Sequence, residues 1–167
     1  MNIRDAVEAD LDGIREIYNE AVENSTAIWN DHVVDLENRR AWFADRRENG
    51  FPVLVAADED DRVLGYASYG PWRPHDGFRH TVEHSVYVRD GQRGSGIGRA
   101  MMVALIERAR QDGKHVMVGA IESANRGSVH LHQQLGFLHV GQLREVGTKF
   151  GRWLDLTFMQ LTLTPRE

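Results

Sequence analysis

The stretch Arg93-Gly94-Ser95-Gly96-Ile97-Gly98-Arg99 constrains this chain more than any other part of its sequence. It follows a strand-like run and precedes a helix-like run, so we expect a tight turn between the two elements. Its alternating glycines leave backbone N–H groups bare and can adopt the positive φ values that direct several of them at one spot. The helix that begins there adds its own unpaired N–H groups and the positive end of its dipole. The sequence therefore predicts an anion site of the kind that binds phosphates.

Length and composition indicate one globular domain, which we expect to span residues 1–167. The apolar fraction is 41% and the charged fraction 27%, values that are ordinary for a folded domain. The chain has no cysteine, which excludes disulfides, thiolate metal sites and a covalent intermediate on an enzyme thiol. A net charge of −5 with interspersed bases argues against general nucleic-acid binding. Without a signal-like or membrane-spanning stretch, we expect a cytoplasmic protein with no membrane partner.

Hydrophobic periodicity predicts strands and helices in the order β-α-α-β-β-β-α-β-α-β-β, which is an α/β domain with a mixed sheet. The predicted strands cover residues 2–6, 51–57, 62–69, 80–89, 116–121, 137–144 and 153–163. Helices are expected after the caps Asp10, Asp35 and Asn125, and after the glycine stretch. The segments 25–35, 70–79 and 146–152 are expected to be loops, the first of them with exposed Ile28 and Trp29.

The eight histidines raise the question of a metal site. His80 and His84 flank Glu83, but positions four apart on a strand lie roughly 13 Å apart, too far to share one ion. His130 and His132 diverge on a helix because they are two positions apart. We therefore expect no metal.

Two motifs resemble a known superfamily. The strand end Val86-Tyr87-Val88 followed by R-x-x-G-x-G resembles the acetyl-CoA signature of the GNAT superfamily of N-acetyltransferases. Asn125-x-x-Ser128 and Leu135-Gly136-Phe137 are similar to its second conserved block, and the order of elements matches its fold. The resemblance implies acetyl-CoA as co-substrate and a mixed, mostly antiparallel central sheet of about seven strands flanked by about four helices.

Further runs are similar to the phosphinothricin and methionine sulfoximine N-acetyltransferases: Trp72-Arg73, Gly77-Phe78-Arg79, Thr81-Val82-Glu83-His84-Ser85-Val86-Tyr87-Val88 and Gly147-Thr148-Lys149-Phe150-Gly151-Arg152-Trp153. That family detoxifies small glutamate-like amino acids, methionine sulfone among them, by acetylating their α-amino group. The resemblance implies a homodimer in which the loop with Lys149 completes the active site across the interface.

The donor site is expected at the glycine stretch. Backbone N–H groups there should hold the pyrophosphate of CoA, with help from the Ser95 hydroxyl and the Arg99 charge. The resemblance adds backbone pairing of the pantetheine arm with Val86 and Val88, and contacts from Asn125 and Ser128, although Asn125 can also be a plain helix cap. The candidate donor-binding residues are Val86, Tyr87, Val88, Arg93, Gly94, Ser95, Gly96, Ile97, Gly98, Arg99, Asn125 and Ser128.

Glu83 is the candidate general base. Free amino acids are mostly protonated at pH 7, and a half-buried carboxylate with a raised pKa can accept that proton directly or through water. The alternative is an exposed strand carboxylate. His84 would point to the opposite face of a regular strand, unless a bulge turns both side chains into the cleft. A backbone N–H near residues 86–88 is the expected donor to the carbonyl oxygen.

The other acceptor-side candidates carry less specific signals. Many superfamily members place a tyrosine general acid where this chain has His132, so His132 is either that acid or a packed helix residue. Arg73 is the candidate for the substrate carboxylate, since a guanidinium pairs bidentately with it, or else a solvated loop residue. The remaining substrate candidates are Ile28, Trp29, His84, Ser85 and Lys149.

The sequence thus predicts direct attack of a free α-amino group on acetyl-CoA with Glu83 as base. Two alternatives remain. The same chemistry can serve another amine, such as a protein N-terminus, a polyamine or an aminoglycoside, although Arg73, Arg79 and Lys149 favour an anionic acceptor. The other alternative is a non-catalytic acyl-CoA-binding module that regulates a partner.

Overall fold

A computed structural model describes residues 1–164 and shows seven strands and four α-helices. The strands are β1 (Asn2–Asp5), β2 (Val53–Ala57), β3 (Val63–Pro71), β4 (Thr81–Val88), β5 (Val116–Glu122), β6 (Leu138–Lys149) and β7 (Arg152–Thr162). The helices are α1 (Leu11–Asn24), α2 (Leu36–Glu48), α3 (Ile97–Gln111) and α4 (Arg126–Gln134). The predicted α/β class and order of elements are confirmed. The expected domain extends to residue 167, and its last three residues lie outside the described part.

The strands form one sheet in the order β1-β2-β3-β4-β5-β7-β6. Every neighbouring pair is antiparallel except β4 and β5. Their parallel pairing covers only 81–83 of β4 against 116–118 of β5. Beyond Glu83, β4 continues along β3 while β5 continues along β7. The two central strands therefore part after Glu83, and the middle of the sheet opens into a cleft.

The two faces of the sheet are covered by different helices. On β4, Glu83 and Tyr87 face the side covered by α1 and α2, where Tyr87 and its register partner Tyr66 pack near Trp42. His84 lies on the opposite face, which α3 and α4 cover. Side chains from both faces of β4 therefore border the cleft, and this arrangement determines where the site lies.

Helix α1 begins at Leu11 as predicted, but the Asp10 side chain does not cap it. Its carboxylate accepts hydrogen bonds from both terminal nitrogens of Arg4 at 2.7 and 3.0 Å and from the Val7 N–H at 2.8 Å. Asp10 is only 4% exposed. Burial raises the pKa of this carboxyl, and the hydrogen bonds from Arg4 and Val7 outweigh burial, so the net pKa is lowered. Asp10 thus ties β1 to the start of α1.

The other two predicted caps are confirmed. The Asp35 side chain accepts from the Asn38 N–H at 2.8 Å at the start of α2. The Asn125 side chain accepts from the Ser128 N–H at 3.1 Å at the start of α4. Both bonds satisfy backbone donors that a helix N-terminus leaves unpaired.

The expected loop at 146–152 is wrong. Strand β6 continues to Lys149, and β7 begins at Arg152. The tight turn between them places Phe150 at φ 53° and Gly151 at φ 71°, the pair of positive φ values that suits a two-residue hairpin. Gly151 therefore shapes the hairpin, while the register shift between Leu143 and Gly147 coincides with a positive φ of 52° at Glu145. Among residues 1–164, no helix combines the length and apolarity needed to cross a membrane.

Candidate active site

The parting of β4 and β5 creates a cavity of about 760 Å³. Its wall includes the glycine turn at one end, β4 and β5 along its length, and part of α1 and α4. Fifteen of the sequence-predicted site residues line it: Glu83, His84, Ser85, Val86, Tyr87, Val88, Arg93, Gly94, Gly96, Ile97, Gly98, Arg99, Asn125, Ser128 and His132. The predicted donor site and the predicted base therefore share one cavity.

The glycine turn has the conformation that its sequence predicts. Gly94 and Gly96 both have φ 82°, and Gly96 is the residue before the first turn of α3. A side chain at either position would be strained, because L residues rarely adopt this φ. The turn and the start of α3 thus form a concave set of backbone donors next to the cavity.

The polar side chains of the turn have separate roles. The Ser95 hydroxyl donates to the Gln92 carbonyl at 2.5 Å, and Ser95 is not part of the cavity wall. Arg93 pairs with Glu20 at 3.1 Å and Asp90 at 3.4 Å, so carboxylates neutralise its charge. Arg99 donates to the Gln134 side-chain oxygen at 3.2 Å and forms no salt bridge with residues 1–164. The Arg99 charge is therefore the one at the turn that stays uncompensated.

The backbone of β4 presents polar groups to the cleft. Arg89 donates to the Leu64 carbonyl, and Trp72 donates to the Thr81 carbonyl, so odd-numbered positions of β4 bond to β3. In an antiparallel ladder the intervening positions point away from that partner. The N–H and C=O groups of residues 84, 86 and 88 therefore point toward β5, which has already parted from β4. An extended ligand can pair with this free edge.

Glu83 is half-buried at the point where the strands part. Burial raises the pKa of its carboxyl, and the positive charge of Arg46 offsets only part of that effect. Within the described residues its carboxylate has no salt-bridge partner. A carboxylate in this setting is suited to accept a proton from a bound group.

His84 and His132 form a buried pair on the other side of β4. Their Nε2 atoms are 2.9 Å apart, and the rings stack at 5.0 Å and 15°. His132 Nδ1 lies 2.6 Å from the Ser128 carbonyl oxygen, which can only accept, so Nδ1 carries the proton in the neutral ring. His132 Nε2 is then an acceptor, and His84 Nε2–H donates to it. His84 Nδ1 is left unprotonated, buried and without a partner in residues 1–164.

This pair is held neutral. Burial, with a smaller contribution from His132, lowers the pKa of His84 to about 3, and burial also lowers the pKa of His132. A Cβ on Gly119 would lie 3.0 Å from His84 Nε2, so the pair packs closely against this glycine. Both ring nitrogens of His132 are engaged, which favours the packed interpretation of this residue. Its role as general acid stays a prediction.

The bulge considered for β4 is absent. The register from Gly65 opposite Val88 to Pro71 opposite Val82 is continuous. Glu83 and His84 instead line the cavity from opposite faces of a regular strand, because β5 has moved away.

Four predicted substrate residues lie outside the cavity wall. Ile28, expected to be exposed, is buried in contact with Ala21 and Val22. Trp29 is half-buried over Gly147, where a Cβ would overlap its ring. Arg73 is exposed, with its guanidinium 5.3 Å from the ring centre of Trp72.

Lys149 also departs from its predicted setting. It is 3% exposed, and its ammonium donates to the carbonyl of Ser25 at 2.6 Å, of Ala21 at 3.3 Å and of Ile28. The expected flexible loop is therefore an ordered strand end that fixes the connection between α1 and α2. A direct contact of this ammonium with substrate stays a prediction.

Two arginines of α2 belong to the surroundings of the site, although no sequence motif pointed to them. Arg39 is 8% exposed and lies 4.3 Å from the ring centre of Tyr18 and 4.9 Å from that of Trp42. Arg46 is half-buried beside Trp42 and acts on the charge of Glu83. Arg39 and Arg46 are seven positions apart, so both lie on the helical face that carries Trp42. This spacing is the sequence feature that could have predicted their position near the site. Within residues 1–164, no group of three His, Cys, Asp or Glu side chains is arranged to hold a metal ion.

Comparison with known proteins gives consistent matches. The model of the acetyltransferase (GNAT) family matches residues 14–137. The L-methionine sulfoximine/L-methionine sulfone acetyltransferase of Pseudomonas aeruginosa is 65% identical over 164 residues, which cover 98% of this chain and 95% of that protein. The phosphinothricin N-acetyltransferase of Streptomyces coelicolor is 34% identical over 98% of this chain and 96% of its own length. A Salmonella typhimurium structure, a putative acetyltransferase with its cofactor acetyl-CoA, has a TM-score of 0.96 and 55% identity over 100% of this chain and 96% of that one.

Proposed function

Because the chain belongs to the GNAT family of acetyltransferases, we propose that it acetylates the α-amino group of methionine sulfone, methionine sulfoximine or a related small amino acid. The resemblance stated from the sequence is confirmed at the level of the family. The observation that carries the proposal is the continuous cavity, which joins the glycine turn to a half-buried carboxylate. The 65% identical relative that bears the name of this activity supports the choice of acceptor.

The donor half of the cavity fits acetyl-CoA. The N–H groups of Gly94 and Gly96, with the start of α3, would hold the pyrophosphate, and Arg99 supplies the uncompensated positive charge. The free edge of β4 at Val86 and Val88 would pair with the amide groups of the pantetheine arm. Asn125 already caps α4, so its side-chain oxygen is engaged, while its place in the cavity wall still allows contact.

The chemistry follows from Glu83 and the free strand edge. Glu83 takes one proton from the acceptor's ammonium group, and the amine nitrogen then attacks the carbonyl carbon of the thioester. A backbone N–H of residues 84, 86 or 88 stabilises the negative charge on the carbonyl oxygen. The carbon–sulfur bond breaks, the thiolate leaves with its electron pair and takes up a proton, and the nitrogen gives up its second proton as the amide forms. The raised pKa of Glu83 makes its carboxylate a stronger base, which suits proton transfer near neutral pH.

A second copy of the chain covers the β6–β7 hairpin in this proposal. Large apolar side chains are exposed along that hairpin: Leu138, Val140, Leu143, Val146, Phe150 and Trp153, with Leu138 at 69% and Trp153 at 70%. Exposed apolar surface that is concentrated on one element is typical of an interface. Light scattering coupled to gel filtration should give a mass of two chains for the wild type and of one chain for Trp153→Asp.

The activity is tested with purified protein, acetyl-CoA and a panel of amines, with CoA release followed by a thiol reagent. We expect turnover with methionine sulfone, methionine sulfoximine and phosphinothricin, and background release with spermidine and kanamycin. Turnover of only the polycationic amines would refute the proposed acceptor class. Acetyl-CoA binding by calorimetry without turnover of any amine would instead support a non-catalytic binding module.

A further inference from the structure

The geometry points to Arg46 as the residue that binds the α-carboxylate of the acceptor, beside Glu83 and on the α1–α2 face of β4. This inference rests on the proposed function, because it concerns how the acceptor amino acid is held. It also separates the acceptor from the donor, which occupies the cavity between β4 and β5.

The position of Arg46 follows from its contact with β3. A Cβ on Gly70 would overlap Arg46 Nη1, so the guanidinium fills the space that a side chain at Gly70 would occupy. Gly70 is the register partner of Glu83. Side chains of register partners lie on the same face, with Cβ atoms about 5 Å apart. The guanidinium of Arg46 therefore lies beside the Glu83 side chain, next to the cavity rather than in its wall.

Arg46 has no hydrogen-bonded counter-ion within residues 1–164. It is half-buried, yet it forms neither a salt bridge nor a side-chain hydrogen bond there, whereas Arg4, Arg89 and Arg93 all pair with carboxylates. The ring of Trp42 lies 5.9 Å away. Burial lowers the pKa of Arg46 and the positive charge of Arg39 adds to this effect, while the negative charges of Asp45 and Glu83 oppose it without accepting a hydrogen bond. Half-burying a guanidinium whose N–H groups have no acceptor is unfavourable. An incoming carboxylate would supply the missing hydrogen-bond acceptors.

An α-amino acid has the dimensions for this pair of groups. One carbon atom joins its ammonium group to its carboxylate, so the two groups can reach neighbouring sites of opposite charge. Glu83 receives the proton of the ammonium group, and the guanidinium of Arg46 binds the two carboxylate oxygens. Arg73, the candidate from the sequence, is exposed and lies on a loop, where solvent screens its charge.

The assignment defines a class of acceptor. An amine without a free α-carboxylate, such as a peptide N-terminus or an amino-acid amide, leaves Arg46 unpaired in the complex. The enzyme should therefore select free amino acids over these analogues through Arg46.

The test compares methionine sulfone with its carboxamide as acceptors for the wild type, Arg46→Gln and Arg46→Lys. Arg47→Gln is the matched control, since Arg47 is the next residue of α2 and is exposed. We expect Arg46→Gln to lower kcat/KM for methionine sulfone by about 10- to 100-fold, as for a lost hydrogen bond to a charged group. The comparison is made on the alkaline plateau of each pH profile, where Glu83 is deprotonated whether or not Arg46 is present. There, kcat/KM for the carboxamide and KM for acetyl-CoA should stay within about twofold of the wild type. Arg46→Lys keeps the positive charge but loses the two parallel N–H donors of the guanidinium, so its kcat/KM for methionine sulfone should lie between those of the wild type and Arg46→Gln.

The outcomes separate the two proposals. An equal loss with both acceptors in Arg46→Gln would overturn the inference, because Arg46 would then act through Glu83. An acid-specific loss in Arg73→Gln with none in Arg46→Gln would overturn it in favour of Arg73. If the wild type acetylates neither acceptor, the proposed function fails together with the inference. Unchanged acetyl-CoA binding by calorimetry shows that each variant is folded.

Discussion

Replacement of Asp10 by alanine tests how much one buried carboxylate contributes to the fold. Asp10 accepts two hydrogen bonds from Arg4 and one from the Val7 N–H, and these bonds join β1 to α1. Asp10→Ala removes all three acceptors at once. The Val7 N–H then loses its partner, and Arg4 keeps only the Asp5 carbonyl at 3.2 Å and the exposed Asp61 carboxylate at 3.5 Å.

The magnitude follows from burial. Removing one partner of a fully buried ion pair costs about 3–5 kcal/mol. Asp10 is 4% exposed, but the Arg4 side chain is 26% exposed and can regain water. We therefore expect the lower end of the range, about 3 kcal/mol of unfolding free energy. For a chain of this size, about 2–4 °C of Tm per kcal/mol gives a decrease of about 6–12 °C.

The effect should depend on pH with a defined sign. The net pKa of Asp10 is lowered in the folded state, so the unfolded chain takes up a proton at this position at a higher pH than the folded protein. The stabilisation is therefore present above the unfolded pKa of about 3.9 and is lost as the pH falls through the folded pKa. Urea unfolding of wild type and variant should show the full difference at pH 7 and a difference that declines as the pH falls below about 4.

Asp12→Ala is the control, because Asp12 forms an exposed ion pair with Arg15, and such pairs contribute about 0–1 kcal/mol. If Asp10→Ala loses no more stability than Asp12→Ala at pH 7, the reasoning from burial is refuted. A difference that persists unchanged at pH 3 would refute the assignment of the effect to the ionised carboxylate.

Three further changes test the site. Glu83→Gln should lower kcat/KM by about 10²- to 10⁴-fold at pH 8 and abolish the acidic limb of the pH profile. Because burial raises the Glu83 pKa, ionisation of this carboxyl destabilises the folded state as the pH rises through that pKa. The variant should therefore also resist urea better than the wild type at pH 7. Gly119→Ala should cost about 1–3 kcal/mol by overpacking, since its Cβ would lie 3.0 Å from His84 Nε2, whereas Gly141→Ala, whose Cβ meets nothing within 4 Å, should cost less. Lys149→Met should speed limited proteolysis in segment 25–35, and Lys114→Met should not.

Each of these predictions has a contradicting result. An acidic limb that survives Glu83→Gln would assign the base to another group. Equal stability of the two glycine variants would mean that the histidine pair can shift without cost. Proteolysis at the wild-type rate in Lys149→Met would show that the three carbonyl contacts do not hold the α1–α2 connection.

The features that the sequence predicted well depend on neighbouring residues. Asp35 and Asn125 cap helices because each side chain reaches an N–H three positions ahead. The glycine turn could be predicted because its conformation and its donors belong to its own backbone. Glu83 was found through its position in a recognisable motif, although its raised pKa depends on the surrounding fold.

The features that the sequence did not predict depend on distant partners. Lys149 is flanked by turn-forming residues, yet its acceptors lie more than a hundred positions earlier in the chain. Arg46 matters because α2 packs its guanidinium onto Gly70 of another element. The departure of β5 from β4 is likewise a property of the whole sheet, and no short motif in either strand encodes it.

The division of the sheet between β4 and β5 has a consequence for how such an enzyme can diverge. In the proposed arrangement, the donor pairs with the backbone edge of β4 and the glycine turn, while Arg46 of α2 and Glu83 hold the acceptor on the opposite face. Substitutions on α2 would then change which amine is accepted without disturbing the donor, because this helix contributes no group to the donor site.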